Sequence, residues 1–86
     1  GDADFAHSSF TSLGSLQYIG GNAIFYESQI IDLGDLEYIG GRANFNHSKI
    51  TSPGKLEYIG GNLRLEYVNL KPSNFASVKV KGEIIT

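Results

Sequence analysis

The sequence predicts a repeat solenoid: a right-handed stack of about four short coils held together by parallel β-pairing, with little or no α-helix. Three observations carry this expectation. A ten-residue block recurs at a strict period of 20 residues, the apolar positions after each block alternate as on a strand, and the glycines keep the same register.

The block is Leu13-Gly14-Ser15-Leu16-Gln17-Tyr18-Ile19-Gly20-Gly21-Asn22. It returns as Leu33-Gly34-Asp35-Leu36-Glu37-Tyr38-Ile39-Gly40-Gly41-Arg42 and again as Pro53-Gly54-Lys55-Leu56-Glu57-Tyr58-Ile59-Gly60-Gly61-Asn62, with no insertion or deletion. Of the eleven glycines, nine lie in these copies, Gly1 falls on the second glycine of the Gly-Gly pair, and Gly82 stands outside the register. The residues between blocks form columns: Ala3, Ala23, Ala43 and Leu63; Phe5, Phe25, Phe45 and Leu65; Ser8, Ser28, Ser48 and Val68; Phe10, Ile30, Ile50 and Leu70. Ala-x-Phe alternates with the period of a strand. The stretch that follows leaves no room for two full helical turns, and its glycines read as tight turns at positive φ. A bundle or a doubly wound sheet is excluded, because no amphipathic segment reaches helix length. The expected organisation is one domain over residues 1–86: a partial coil at 1–12, full repeats at 13–32, 33–52 and 53–72, and a C-terminal cap strand at 73–86.

Composition narrows the function classes. A compact globule of 86 residues would bury only ~60% of its unfolded surface. No cysteine is present to staple it by disulfide or by a Cys-based zinc site. A net charge of −2 argues against a nucleic-acid footprint, which needs a basic face. No apolar run approaches the ~18–20 residues of a membrane span, no signal peptide is read in the first residues, and the compartment stays open.

At this point the chain resembles the short leucine-rich repeats. Ala23-x-Phe25-x-x-Ser28-x-Ile30-x-x-Leu33 follows the family spacing L-x-L-x-x-N-x-L-x-x-L, and Leu63-x-Leu65-x-x-Val68-x-Leu70 follows it with more usual aliphatic residues. The chain is similar to bacterial effector-type leucine-rich proteins and to the L domains of cell-surface receptors, over roughly residues 1 to 72. The resemblance implies a solenoid that binds proteins on its strand face. Three departures stand out. Gly20, Gly40 and Gly60 replace the leading Leu, Ala replaces the second, and Ser replaces the inward Asn that hydrogen-bonds backbone between coils in the family. A column of Ser8, Ser28 and Ser48 is expected to do a smaller version of that job, each hydroxyl offering one donor and two acceptor sites. A more triangular β-solenoid stays open beside the horseshoe.

The ends differ. Phe75-x-x-Val78-x-Val80-x-Gly82-x-Ile84 alternates with two extra residues between Val78 and Ile84, and Lys71, Lys79 and Lys81 suit an edge strand that resists further pairing. The N-terminus starts in mid-repeat. Either further coils precede it, the favoured reading, or its open edge pairs with a second copy to make a homo-oligomer.

Outward rows on the strand face vary while the framework repeats. They are Asp2, Asn22, Arg42 and Asn62; Asp4, Ile24, Asn44 and Arg64; Ala6, Tyr26, Asn46 and Glu66; and His7, Glu27, His47 and Tyr67. Candidate partner-binding residues are Tyr26, Arg42, Arg64, Tyr67, Glu27, His47 and Asn44, with Tyr26, Arg42, Arg64 and Tyr67 as anchors because Tyr and Arg dominate hot spots. In the last row the two histidines would lie ~10 Å apart, two strand spacings, which is too wide for both to hold one ion. A solvated polar ladder is favoured there, and a His-Glu pair with outside ligands stays open. Tyr18, Tyr38 and Tyr58 read as a packing column, with sugar binding as the alternative. Three scattered threonines make a poor ice-binding face. Catalysis finds little support: the serines in register point inward, and the Gly-Gly motif lacks the Lys-Ser/Thr and helix of a phosphate loop. No cofactor is expected. The leading expectation is a non-enzymatic protein-interaction module with an unidentified protein partner; a structural or self-assembling spacer comes second and a carbohydrate-binding surface third.

Overall fold

A 20-residue coil with no helix can satisfy its backbone only by bonding to the coils on either side. The computed structural model describes residues 1–86, and its coils bond to one another in this way along the stack. Its strands are two residues long: β1 (Ala3–Asp4), β2 (Tyr18–Ile19), β3 (Ala23–Ile24), β4 (Tyr38–Ile39), β5 (Ala43–Asn44), β6 (Tyr58–Ile59), β7 (Leu63–Arg64), β8 (Lys79–Val80) and β9 (Ile84–Ile85). They form two parallel sheets, ordered β1-β3-β5-β7-β9 and β2-β4-β6-β8, stacked as a β-solenoid of about four turns with essentially no helix. Register follows the repeat, with Ala3 on Ala23, Ala23 on Ala43 and Ala43 on Leu63. A third side is held by the Ser12–Asp32 bridge and by Thr51 N–H donating to the Ile31 carbonyl at 3.2 Å, so each coil is three-sided.

The corners explain why the strands stay short. One is a β-turn closed by Leu36 N–H on the Leu33 carbonyl, with Gly34 at φ 60° and the Asp32 carboxylate accepting the Gly34 N–H at 2.6 Å. Ser12 and Ser52 cap the equivalent turns. A second β-turn, closed by Ser28 N–H on the Phe25 carbonyl, puts Glu27 at φ 53°. The third corner is the Gly-Gly pair joining the two sheets. The positive φ expected of the turn glycines is found at Gly14, Gly34 and Gly54, whereas Gly20, Gly21 and their equivalents are not in the left-handed region. The pair is demanded by close approach instead. A Cβ on Gly40 would overlap the Gly20 carbonyl, and one on Gly41 would overlap Asn22 Oδ1 of the preceding coil.

The core is a column shared between coils. Ile19, Ile39 and Ile59 enter from one sheet, Ala23, Ala43, Leu63, Phe25, Phe45 and Leu65 from the other, and Ile30, Ile50, Leu33, Leu36 and Leu56 from the third side, all buried. Phe25 and Phe45 stack face to face at 4.9 Å. The centroid spacing is close to the distance between paired strands, so the backbone sets it.

The C-terminal segment 73–86, expected as one cap strand, holds both β8 and β9 and extends each sheet. Its partners are 21 residues back, Tyr58 on Lys79 and Leu63 on Ile84. The irregularity is therefore one residue, placed before Lys79 in the segment that carries the 3₁₀ turn Pro72–Phe75, and not two residues after Val78. Gly82 thereby returns to the glycine position, its N–H donating to the Gly61 carbonyl at 3.1 Å. Phe75, on the 3₁₀ turn, is buried near Phe45 and covers this end. On the first coil, by contrast, Phe10 is 63% exposed and Tyr18 61%. No helix is long and apolar enough to cross a membrane.

Candidate functional site

The sheet β1-β3-β5-β7-β9 carries the outward rows, and the structure divides them into scaffold and free positions. Asp2, Asn22 and Asn62 belong to the scaffold. Each turns a side-chain oxygen onto the main-chain N–H one coil further on: Asp2 Oδ1 accepts from Asn22 at 2.8 Å, Asn22 Oδ1 from Arg42 at 2.8 Å, and Asn62 Oδ1 from Glu83 at 2.9 Å. Arg42 interrupts the row. Asn44 is also engaged, its Oδ1 accepting the Asn46 N–H at 2.9 Å in an Asx turn. Asn46 in turn accepts the Glu66 N–H at 2.9 Å and donates Nδ2 to Glu66 Oε1 at 3.1 Å.

Arg42 and Arg64 line one shallow depression of about 110 Å³ together with Asn44 and Asn62. Arg64 Nη1 lies 3.4 Å from Glu66 Oε1, an exposed pair of little energetic weight. Arg42 has no carboxylate partner. Sequence reasoning singled out both arginines and Asn44 but passed over Asn62, Asn46 and Glu66. The signal for Asn62 was present: an Asx residue follows Gly1, Gly21 and Gly61, and Arg follows Gly41.

The row His7, Glu27, His47 and Tyr67 is not on the strand face as expected. It occupies the adjoining corner, where all four residues have φ between 53° and 59°. This backbone region favours glycine, and a bulky side chain there is uncommon. The corner gathers an aromatic cluster. The Tyr26 ring lies perpendicular to His7 at 5.8 Å and to His47 at 5.6 Å, and His47 stacks on Tyr67 at 4.6 Å. Tyr67 is 80% exposed. Glu27 Oε1 lies 3.3 Å from His7 Nδ1. Tyr26, His47 and Tyr67 thus come together, while Glu27 faces the other way, to His7.

The serine column does not form the expected inter-coil ladder. Ser28 Oγ accepts only from Ile30 N–H of its own coil, at 3.4 Å, and Ser8 and Ser48 Oγ have no partner. The backbone does that work, Gln29 N–H donating to the Ser8 carbonyl at 3.1 Å. The tyrosine column does stack, with Tyr38 between Tyr18 at 4.6 Å and Tyr58 at 4.8 Å. Both faces of the Tyr38 ring are covered, which leaves a sugar ring only edges and hydroxyls there. The Tyr38 phenol is pushed above its ordinary pKa, first by loss of water around it and then by the neighbouring Tyr18 and Tyr58. No family model matches the chain, and neither does any curated protein or solved structure.

Proposed function

We propose that the chain is a non-enzymatic protein-interaction module, a short repeat solenoid allied to the bacterial leucine-rich repeats, that binds a protein partner on the sheet β1-β3-β5-β7-β9 and its aromatic corner. One observation carries this reading. The left-handed corner position holds His7, Glu27, His47 and Tyr67, never glycine, while the other turn keeps Gly14, Gly34 and Gly54 at the same sign of φ. Holding an L-residue there costs about 1–3 kcal/mol each, and such conformations cluster at functional sites. A chain that spends glycine freely elsewhere has side chains to present here. Tyr26 and Tyr67 would be the aromatic anchors and Arg42 and Arg64 the polar ones, residue types that dominate interface hot spots. The Ala/Leu-x-Phe/Leu-x-x-Ser-x-Ile spacing supports the leucine-rich alliance.

The test is a photo-crosslinking side chain at Tyr67, identification of what it captures, and reconstitution of that pair from purified components. Tyr26→Ala and Tyr67→Ala should each weaken the complex at least tenfold, and Glu37→Ala, beside the other sheet, should leave it unchanged. Equal affinity for all three variants would remove the assignment of this face.

A second reading, end-to-end assembly, is favoured by the exposed Phe10 and Tyr18 beside the unpaired edges of β1 and β2. Sheet edges of this kind template pairing with another chain. A mass by light scattering that stays monomeric at every concentration would eliminate it for this chain.

A further inference from the structure

The interrupted Asx row points to a ligand chemistry. On three coils a side-chain oxygen in this row meets the N–H of the following coil. A guanidinium has donors only and cannot accept. The main-chain N–H of Asn62, which would take its bond from residue 42, accordingly has no acceptor. No atom of Arg42 takes the place of the Asx oxygen: a Cβ on Gly41 would overlap Asn22 Oδ1, whereas one on Gly61 would meet nothing nearer than Arg42 Cγ and the Arg42 nitrogen at 3.0 Å. The depression beside it is lined by Arg42, Arg64, Asn44 and Asn62. The residue with the unmet main-chain donor and both arginines of the chain therefore line a single small depression, on a protein whose net charge is −2.

We propose that this depression binds a side-chain carboxylate of an acidic peptide segment, one oxygen accepting the Asn62 N–H and the other paired with Arg42. The proposal rests on the reading of this face as a protein-binding surface and names the partner's chemistry. The chain supplies its own precedent: Asp2, two repeats before Arg42 in the same row, satisfies the Asn22 N–H with a carboxylate oxygen at 2.8 Å. An incoming carboxylate does for Asn62 what Asp2 does for Asn22. A planar carboxylate also matches the fork of an arginine, which binds such groups through two parallel hydrogen bonds. A phosphate fits less well. Glu66 Oε1, held by Asn46, already lies 3.4 Å from Arg64 Nη1, which leaves Arg42 as the one unpaired arginine and a singly charged ligand as the better match.

The experiment is an amide-resolved NMR titration of the intact chain with an acetylated, amidated peptide of alternating Asp and Glu, at low and high salt. The Asn62 amide and the Arg42 side-chain N–H signals should shift together and saturably. Affinity should fall at least tenfold for Arg42→Gln, for the Asn/Gln version of the peptide, and at high salt, with Arg42→Lys weakened less than Arg42→Gln. A signal of Asn62 that does not move, or equal affinity for the Asn/Gln peptide, would overturn the proposal. A phosphoserine peptide that binds more tightly than the acidic one would overturn the choice of carboxylate. The two readings fail separately. A reconstituted partner complex that needs Tyr26 and Tyr67 but ignores Arg42→Gln sinks the carboxylate site alone. Acidic-peptide binding that needs Arg42, with no dependence of the partner complex on the tyrosines, sinks the aromatic face alone.

Discussion

Asn22 Oδ1 accepts the main-chain N–H of Arg42 at 2.8 Å, one coil further along the solenoid. The contact exists because Gly41 has no Cβ, which would otherwise occupy the position of that oxygen. Glycine and Asx are thus one device spread over two coils, and Gly82 with Asn62 repeats it at the C-terminal end. The device predicts its own repair. Arg42→Asn should complete the row by giving the Asn62 N–H an acceptor, raising stability by about 1 kcal/mol, the net worth of an ordinary hydrogen bond. Asn22→Ala should lower it by a similar ~1 kcal/mol. Urea denaturation midpoints check both, and a midpoint that falls for Arg42→Asn would mean the row is not held by these bonds.

Two glycines in the same column should respond differently to the same substitution. Gly34 and Gly54 share a φ near 60°, so alanine strains the backbone at both, by about 1–2 kcal/mol. A Cβ on Gly54 would meet nothing nearer than the Gly34 carbonyl at 3.8 Å, whereas one on Gly34 would overlap the Gly14 carbonyl. Gly54→Ala should therefore cost only the conformational strain, and Gly34→Ala clearly more, because the first two coils must separate locally. Equal midpoints in urea for the two variants would show that the coils slide apart without penalty.

The parts of the fold that depend on spacing along the chain were legible in the repeat. Ala23 pairs with Ala43 and Tyr38 with Tyr58 because identical coils stack in register. What depends on the neighbouring coil was not. Gly40 and Gly41 look like turn residues until the Gly20 carbonyl and Asn22 side chain of the preceding coil are in place. The left-handed corner was hidden for the opposite reason: of its occupants His7, Glu27, His47 and Tyr67, the glutamate and the tyrosine are residues that local preference would not put there. At the C-terminus the alternation of Val78, Val80 and Ile84 is genuine, but nothing local says that the 3₁₀ turn takes up the extra residue and returns Gly82 to register. Of the candidate site, the arginines and tyrosines were visible as departures from the repeat, and the unmet Asn62 N–H was visible only once its row was seen to be hydrogen-bonded.

Ser48 should be better removed than kept. Its hydroxyl is buried and has no partner, so it carries a desolvation cost with no bond to offset it. Ser48→Ala should raise stability by up to about 1 kcal/mol, the gain tempered by the small void left by the oxygen. Ser28 has one long bond to Ile30 N–H at 3.4 Å, so Ser28→Ala should be close to neutral. Thermal unfolding of the two variants checks the pair. A loss of more than about 1 kcal/mol at Ser48 would show that its hydroxyl meets an acceptor.

The tyrosine column predicts how the fold ends at alkaline pH. Tyr38 is flanked on both faces, and its phenol ionises above the ordinary 10.0 because water is displaced and because phenolates on Tyr18 and Tyr58 would repel its own. The folded state then holds this proton more tightly than the unfolded chain. The stability it contributes is fully present below the unfolded pKa and is lost as pH rises through the folded one. Stability should accordingly decline above pH 10.0, and Tyr38→Phe should lessen that decline by removing the group that ionises. Phenolate absorbance followed alongside circular dichroism checks this: a late component of the titration, absent from Tyr38→Phe, should accompany loss of structure. A Tyr38→Phe variant that unfolds at the same pH as the parent would show that the stacked column tolerates its own ionisation.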